Sequence, residues 1–350
     1  MNDDEKLKEL FEDKGTPNFD KVIKKARFFS IIRSVITSIL VFTVVSFIVL
    51  VFNASTLNKL GNDKMSELVY CYTIAHPNSY IGNNQMDDGL VTGELDYVTY
   101  RFLGNKPIFD GNNKESYSYV PLINGIYGDN SGLLYEPSED SEQSLYEAKT
   151  YDKDGKNVMQ FFHPDVKYSK YKDDLAMINK IGEDKVMEIS LSFDKSYSIE
   201  EVKNMIPKNI TLNWYWVDTY TKSQVDELSS HTEKIENDME SKSEKQIIPN
   251  TILYENDVYG IKSIDDQGKN ITAPEKSFID TISSRKAIKG NHQQLYETLF
   301  SKLSKDKIKI TKGDIKILGV VVSGDKDSLI LLKNKFFIKA SSLGAVSDKY

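Results

Sequence analysis

From Ser34 to Phe52 the chain reads SVITSILVFTVVSFIVLVF, an unbroken apolar run whose only polar groups are Ser and Thr hydroxyls. At 1.5 Å rise per residue it covers the roughly 30 Å of a bilayer core, and its hydroxyls bond back to helix carbonyls, so it predicts a membrane-spanning helix. A buried core helix would carry a polar face, and a cleaved leader would open on a short basic stretch, whereas an acidic segment precedes this run. Helix continuity is expected from an N-cap at about Asn18 to about Leu57.

After the span the periodicity changes. A helical stalk over residues 53–67 gives way to short apolar runs separated by Gly82-Asn83-Asn84, Asp110-Gly111-Asn112-Asn113, Gly128-Asp129-Asn130 and Asp154-Gly155, the spacing of strands and turns in an antiparallel sheet. From Val186 the pattern becomes strand, helix, strand: Val186 to Phe193 alternates, Ser198 to Glu201 has capping-box spacing, and Ile210 to Val217 alternates again. A second such unit closes the chain, with a strand over Ile315 to Val322, a short helix over Asp325 to Leu332 and a strand over Phe336 to Ala340. Between the two units, Asn291 to Leu303 carries the stripe of an amphipathic helix.

The expected fold class is therefore α+β: a single N-terminal transmembrane helix, an extracytoplasmic antiparallel β-rich region and a ferredoxin-like split β-α-β region. The expected division is a cytoplasmic tail (1–27), the span with its cytoplasmic flank (28–53), a β-rich outer domain (54–167) and an α+β outer domain (168–350). Residues 222–245 are too polar to build a core and read as an exposed helix or loop.

Charge orients this arrangement. Lys21, Lys24, Lys25, Arg27 and Arg33 crowd the N-terminal flank, against Lys59 and Lys64 beyond the span, which keeps the N-terminus in the cytoplasm and the bulk of the chain outside the cell membrane. A net charge of −7 and a pI near 5.4 argue against a nucleic-acid surface. The single cysteine, Cys71, forms no internal disulfide, and an external domain without bridges fits a Gram-positive bacterium.

Site chemistry is sparse. The tail lacks the Cys and His ligands of a zinc site, and Cys71, His76, His163, His231 and His292 are scattered. A calcium loop placed on Gly155 would need its closing carboxylate at Phe161, so Asp152 to Asn157 reads as a hairpin turn. No nucleophile elbow or phosphate loop is present, and the chain is not expected to be an enzyme or to bind a cofactor. Trp214 and Trp216, followed by Tyr220, read either as a strand packed into the core or as an external aromatic platform.

Two long blocks and several short ones carry a resemblance. Glu188-Ile-Ser-Leu-Ser-Phe193 through Glu201 into Ile210-Thr-Leu-Asn-Trp214 through Tyr220, with Gly319-Val-Val-Val-Ser-Gly324, Leu329 to Leu332 and Phe337 through Gly344, resemble the Firmicute sigma factor regulator family. These are membrane-bound anti-sigma factors with paired N- and C-terminal domains. Lys24-Lys-Ala-Arg27, Pro77-Asn78 and Tyr80-Ile81 are similar to the family's first domain.

The resemblance implies restraint of an extracytoplasmic-function sigma factor at the inner membrane face, relieved when the outer domains sense an envelope stress. The tail supplies two short apolar sets for such a partner. Leu7, Leu10 and Phe11 lie at i, i+3, i+4, and Phe19, Val22 and Ile23 follow the Gly15-Thr16-Pro17 break. The second set, interleaved with Lys, reads equally as a helix on membrane lipid. So short a tail cannot form the zinc-containing helical domain of other anti-sigma factors, which leaves room for a co-encoded small membrane protein as a further partner. The alternative is an extracytoplasmic binding or envelope-assembly module anchored by one helix.

Overall fold

A computed structural model describes residues 19–120, 133–135, 149–168, 170–229, 233–235, 245–247, 251–288, 292–305 and 307–349. It opens on one continuous helix, α1 (Phe19–Ile74), 56 residues long. Among the described residues α1 is the one helix long and apolar enough to cross a membrane, and none of its apolar window is buried against protein. That exposure separates it from a core helix. Thr37 and Thr43 donate their hydroxyls to the carbonyls of Arg33 and Ile39, the back-bonding that lets such residues sit in an apolar span.

The helix runs without a break through the expected stalk and on past Glu67 to Ile74. Beyond the apolar run, Leu57, Leu60, Met65, Leu68 and Tyr72 form a stripe buried against a three-stranded antiparallel meander, and tertiary packing continues the helix there. The meander is β1 (Ser79–Asp88), β2 (Thr92–Leu103) and β3 (Lys106–Ser118). Two of the expected turns lie inside these strands. Gly82-Asn83-Asn84 falls at a register shift in β1, and residues 110–113 lie within β3, where Asn113 donates to Thr99 Oγ1 at 3.2 Å and Thr99 donates to the Gly111 carbonyl at 3.4 Å. The polar side chains bond across the strands instead of closing turns. The Gly128 cluster and Asn18 lie outside the described residues.

A short hairpin of β4 (Leu134–Tyr135) with β5 (Thr150–Tyr151) leads to the turn expected at Asp154-Gly155. There Asp152 Oδ1 accepts from the amides of Asp154 and Lys156, both at 2.9 Å, and Gly155 takes a φ of 76°.

The remaining chain builds a five-stranded antiparallel sheet. The elements of this region are β6 (Gln160–Phe161), β7 (Lys185–Tyr197), α2 (Ile199–Met205), β8 (Thr211–Val217), α3 (Lys222–Ser229), β9 (Glu233–Ile235), β10 (Lys245–Ile247), β11 (Leu253–Tyr254), β12 (Gly260–Lys262), α4 (Pro274–Arg285), α5 (Gln293–Ser304), β13 (Ile317–Asp325), α6 (Lys326–Leu329) and β14 (Ile338–Asp348), of which β6 pairs with β11 and β9 with β10 outside the five-stranded sheet. The strand order is β12-β8-β13-β7-β14. Thus β13 lies between the two strands of β7-α2-β8, and β7 lies between those of β13-α6-β14, which interleaves the two expected β-α-β units. Ser198 and Glu201 form the expected capping box on α2. Sequence periodicity missed β12 and α4 and placed β14 too early and too short.

Both faces of this sheet are covered. Met187, Ile189, Leu191 and Phe193 alternate toward the main core, with Val202, Phe278, Ile282, Leu299 and Leu303 from the helices. On the opposite face Trp214 and Trp216 are fully buried with Phe161, whose ring lies 6.2 and 5.4 Å from theirs, while Tyr215 and Val217 point to the helix side. Tyr220 is buried beside them and donates its hydroxyl to the Asp257 carbonyl at 3.2 Å. The aromatic group is core, and neither indole reaches the surface. Within the polar stretch 222–245, α3 rests Val225 and Leu228 on this second cluster, with no fully buried residue of its own.

The central strand tolerates no side chain at Gly319, because an added Cβ would lie 2.3 Å from the Leu191 carbonyl oxygen on β7. Gly319→Ala is expected to lower unfolding stability by about 2 kcal/mol. Gly313→Ala, where the nearest atom is 3.9 Å away, is expected to change it little; thermal unfolding of the full-length chain in detergent compares the two.

Candidate functional site

The densest chemistry lies where the top of α1, the meander and the five-stranded sheet meet. Arg101, on β2, reaches from the meander toward the sheet and meets three carboxylates. Its Nε donates to Asp110 Oδ1 at 2.7 Å, its Nη1 to Glu188 Oε2 at 2.6 Å and its Nη2 to Glu255 Oε2 at 3.3 Å. Asp110 belongs to β3, Glu188 to β7, and Glu255 follows β11, so one guanidinium ties together segments far apart in the chain. Arg101 sits here because β2 alternates: Phe102, the next residue, turns its ring onto Tyr80 and Ile264.

A second polar chain runs beside the first. Asn78, in the link from α1 to β1, adopts a φ of 51°, a left-handed conformation that Asn tolerates better than most residues. Its Nδ2 donates to Glu188 Oε1 at 2.6 Å and to the Phe102 carbonyl at 2.8 Å. Asn213 Nδ2, from β8, donates to Asn78 Oδ1 at 3.2 Å and to the same carbonyl at 3.1 Å. Ser323, on β13, donates to Asn213 Oδ1 at 2.7 Å and accepts from the Gly104 amide at 2.8 Å. Asn78, Glu188, Asn213 and Ser323 have no exposed surface. Several of their bonds cross between the two sheets and are made only while the sheets stay docked.

α1 is joined to the outer body directly as well. Ile74, at its last turn, is buried in the main core of the five-stranded sheet. Lower down, Glu67 Oε1 lies 3.4 Å from His292 Nε2, and the Arg285 guanidinium lies 4.4 Å from the centre of the Tyr70 ring.

Burial sets the charge states around this junction. It pushes Glu255 up to about 7 against the pull of Arg101. Burial also opposes ionisation of Asp110, yet the Arg101 charge, with hydrogen bonds from Arg101 and Ser79, holds it below the ordinary carboxylate range. Lys262, buried, drops to about 7; its Nζ donates to the Ser79 carbonyl at 2.6 Å and lies 3.9 Å from the centre of the Tyr80 ring. His76 falls to about 4, first through burial and then through the Lys262 charge, and stacks on Tyr72 at 4.2 Å. A cavity of ≈ 490 Å³ opens beside Arg101, walled by Tyr72, His76, Asp110, Asp154 and Glu255 among others. It is polar and carries charges of both signs, so it suits a small polar solute better than an apolar one. Among the described residues no group of three or more His, Cys, Asp or Glu is placed to hold a metal ion; Arg101 occupies the space between the three carboxylates.

The residues singled out from sequence lie elsewhere. Leu7, Leu10 and Phe11 fall outside the described residues, and Phe19 opens α1. Val22 and Ile23 are exposed on α1 among Lys21, Lys24, Lys25 and Arg27, one turn and more before Arg33. Trp214, Trp216 and Tyr220 lie in the core, away from Arg101. No local pattern marks Arg101, Asp110 or Glu255. Two signals were present in the sequence: Glu188 is a charge set in an alternating apolar strand, and Asn78 follows Pro77 in the segment that resembles the family's first domain.

A family model described as Sigma factor regulator N-terminal matches residues 20–108, and one described as Sigma factor regulator C-terminal matches residues 178–345. The chain belongs to the sigma factor regulator family. No curated protein and no solved structure matches it. The two matched regions of this sigma factor regulator meet at Arg101 and Glu188, one from each. The family assignment and the single apolar helix fit a membrane-anchored anti-sigma factor that binds a sigma factor and has a regulatory role in transcription.

Arg101→Ala leaves Glu188 buried beside two further carboxylates without the cation. It is expected to lower unfolding stability by about 3–5 kcal/mol, read by chemical denaturation of the full-length chain in detergent. The raised Glu255 also fixes a pH response. Its contribution is complete below the ordinary carboxylate range and is lost as pH rises to about 7, because the unfolded chain gives up that proton earlier. His76, held near 4 by burial, responds with the opposite sign over part of this range, so the Glu255 response is read as a difference: the stability of Glu255→Gln relative to the unaltered chain is expected to rise as pH climbs from about 4.5 to about 7, in paired denaturation curves taken across the range.

Proposed function

We propose that this sigma factor regulator holds an extracytoplasmic-function sigma factor at the inner face of a Gram-positive cell membrane and releases it when the outer domains read an envelope signal. On this reading the N-terminus is cytoplasmic, as the crowding of Lys21, Lys24, Lys25, Arg27 and Arg33 before the span favours. Leu7, Leu10, Phe11, Phe19, Val22 and Ile23 dock on the sigma factor, alone or with a second small membrane protein. The outer chain works as two coupled domains, divided near residue 167.

The observation that carries the reading is the continuity of α1. A single helix runs from Phe19, through the whole apolar run, to Ile74, which is buried in the core of the outer sheet. At 1.5 Å per residue it is about 80 Å long. Because the helix is unbroken, a tilt or rotation at its outer end is transmitted to its inner end without a hinge to absorb it. The Arg101 and Asn78 junctions lie against that outer end, where a change in docking of the two sheets acts on the helix. A cavity beside Arg101 gives a small polar signal a place to act.

Full-length protein, solubilised from its native host under mild detergent, is expected to co-purify an extracytoplasmic-function sigma factor. Replacing Leu7, Leu10 and Phe11 together by alanine should reduce the captured amount about tenfold, the scale set by losing an interface's central apolar anchors. Capture of no sigma factor by the unaltered full-length chain would overturn the reading in favour of an anchored external binding or envelope-assembly module.

A further inference from the structure

The meander stands beside α1 like a post, and its lower end lies level with the end of the span. β1 starts near the top of the helix at Ser79 and runs back down it for ten residues to Asp88. The turn that follows is fastened to the helix: Asn53 Nδ2 donates to the Gly89 carbonyl at 3.3 Å. β3 comes down on the other side of β2, and Tyr119, just past its end, donates its hydroxyl to Asn53 Oδ1 at 2.8 Å. Asn53 is the residue immediately after Phe52, the last of the apolar run. One buried asparagine therefore fixes both the β1–β2 turn and Tyr119 at the height where the helix leaves the bilayer core.

What the turn presents at that height is apolar. The Gly89 amide donates to the Thr92 carbonyl at 2.8 Å, which closes the turn and leaves Leu90 and Val91 at its centre. Hairpin turns usually place Asn, Asp or Gly there, because those side chains suit the geometry and the water around it. Leu90 is 77% exposed and Val91 36%, with Tyr119 at 39% beside them. Scattered apolar side chains on a surface mean little. These three are contiguous with an apolar belt, since the exposed side chains of α1 from Val35 to Phe52 continue into them at Asn53.

We propose that the β1–β2 turn is a membrane-interface foot: Leu90 and Val91 enter the outer headgroup and upper acyl layer, with the Tyr119 ring lying at headgroup level as tyrosines in interfacial belts do. The partner is the lipid surface itself. Asp87 and Asp88, the two residues before the turn, limit the depth, because their carboxylates stay in water. Tyr117 donates to Asp88 Oδ1 at 2.6 Å and so holds that carboxylate on the sheet side. Two contacts with the bilayer, the span and the foot, then fix the tilt and rotation of the post, where the span alone would leave it free to swivel. The inference rests on reading α1 as a membrane span.

The test places a spin label at single cysteines in the full-length Cys71→Ser chain, reconstituted in nanodiscs of phosphatidylcholine with phosphatidylglycerol. Leu90→Cys reports on the foot, Asn105→Cys on the β2–β3 turn at the far end of the meander, and Val44→Cys on the span. Access to apolar oxygen relative to a water-soluble nickel chelate is expected to be at least about threefold higher at 90 than at 105, as for a side chain in the interface. Bromine atoms high on the lipid chains, read by quenching of a fluorophore at the same three positions, give an independent measure. If position 90 matches 105 while 44 reports lipid, the foot is overturned and the span stands. If position 44 also reports water, the span reading fails and takes the foot with it. Leu90 and Asn105 are exposed, so these substitutions disturb no core; equal unfolding temperatures of the three variants check that.

Discussion

Arg101 and Glu188 face each other at 2.6 Å with almost no access to water, and neither charge can be stranded there without a large desolvation cost. The guanidinium belongs to a sheet packed on the membrane helix, and the carboxylate to the sheet that forms the bulk of the outer chain. Their pairing is therefore a condition on how the two bodies dock. An apolar interface of similar area would tolerate sliding, since dispersion and burial are nearly indifferent to register. Directional bonds are not: Asn78 donates to Glu188, Asn213 to Asn78, and the Gly104 amide to Ser323 across the interface, and a shift of one residue breaks all three.

The post below the junction depends on a different constraint. Gly61 on α1 and Gly93 on β2 lie against Tyr117, where a Cβ would come within 2.8 and 2.3 Å of that side chain. The missing side chains let the meander approach the helix closely enough to bury Leu57, Leu95, Tyr97 and Tyr117 together. The same packing extends α1 from the bilayer to Ile74. A helix that left the membrane alone would fray within a few turns, because residues such as Asn58, Lys59, Asn62 and Asp63 offer it little on their own. Junction and post are thus in series: the polar latch orients the outer sheet on the meander, and the meander stiffens the helix that enters the membrane.

Much of this was legible in sequence where one element meets one environment. The span is written in uninterrupted apolar residues. Strand β7 is written in alternation, and α2 in a capping box whose two partners are three residues apart. Trp214 and Trp216, two apart on a strand, could be assigned to one face but not to core or surface, since that depends on Phe161 from a distant segment. The helical stalk to Glu67 was legible, but its last turns to Ile74 were not, because their stripe is amphipathic only with respect to sheets formed later in the chain. Gly82 to Asn84 and Asp110 to Asn113 carry turn chemistry, and pairing with β2 outweighed it. Strand β12 is three residues with a leading glycine, too short for any period to show, and it exists because Tyr215 and Trp216 offer it an edge. Arg101 is one arginine among the chain's many cations until the fold brings Asp110, Glu188 and Glu255 around it.

The charge count at the latch bears on how the proposed regulator works. Three carboxylates surround one guanidinium, with Lys156 Nζ a further 3.8 Å from Asp110. A proton on Glu255 lowers the negative charge crowded around Arg101. When Glu255 loses that proton, the site holds an excess negative charge at low dielectric, and the latch weakens while its hydrogen bonds remain in place. The junction therefore depends on a charge balance as well as on its directional bonds, whereas an apolar contact depends on shape alone. Ile74 and Asn78 lie four residues apart, at the end of α1 and in the latch respectively, so one short link of chain carries both the core packing of the helix and the polar contacts of the junction.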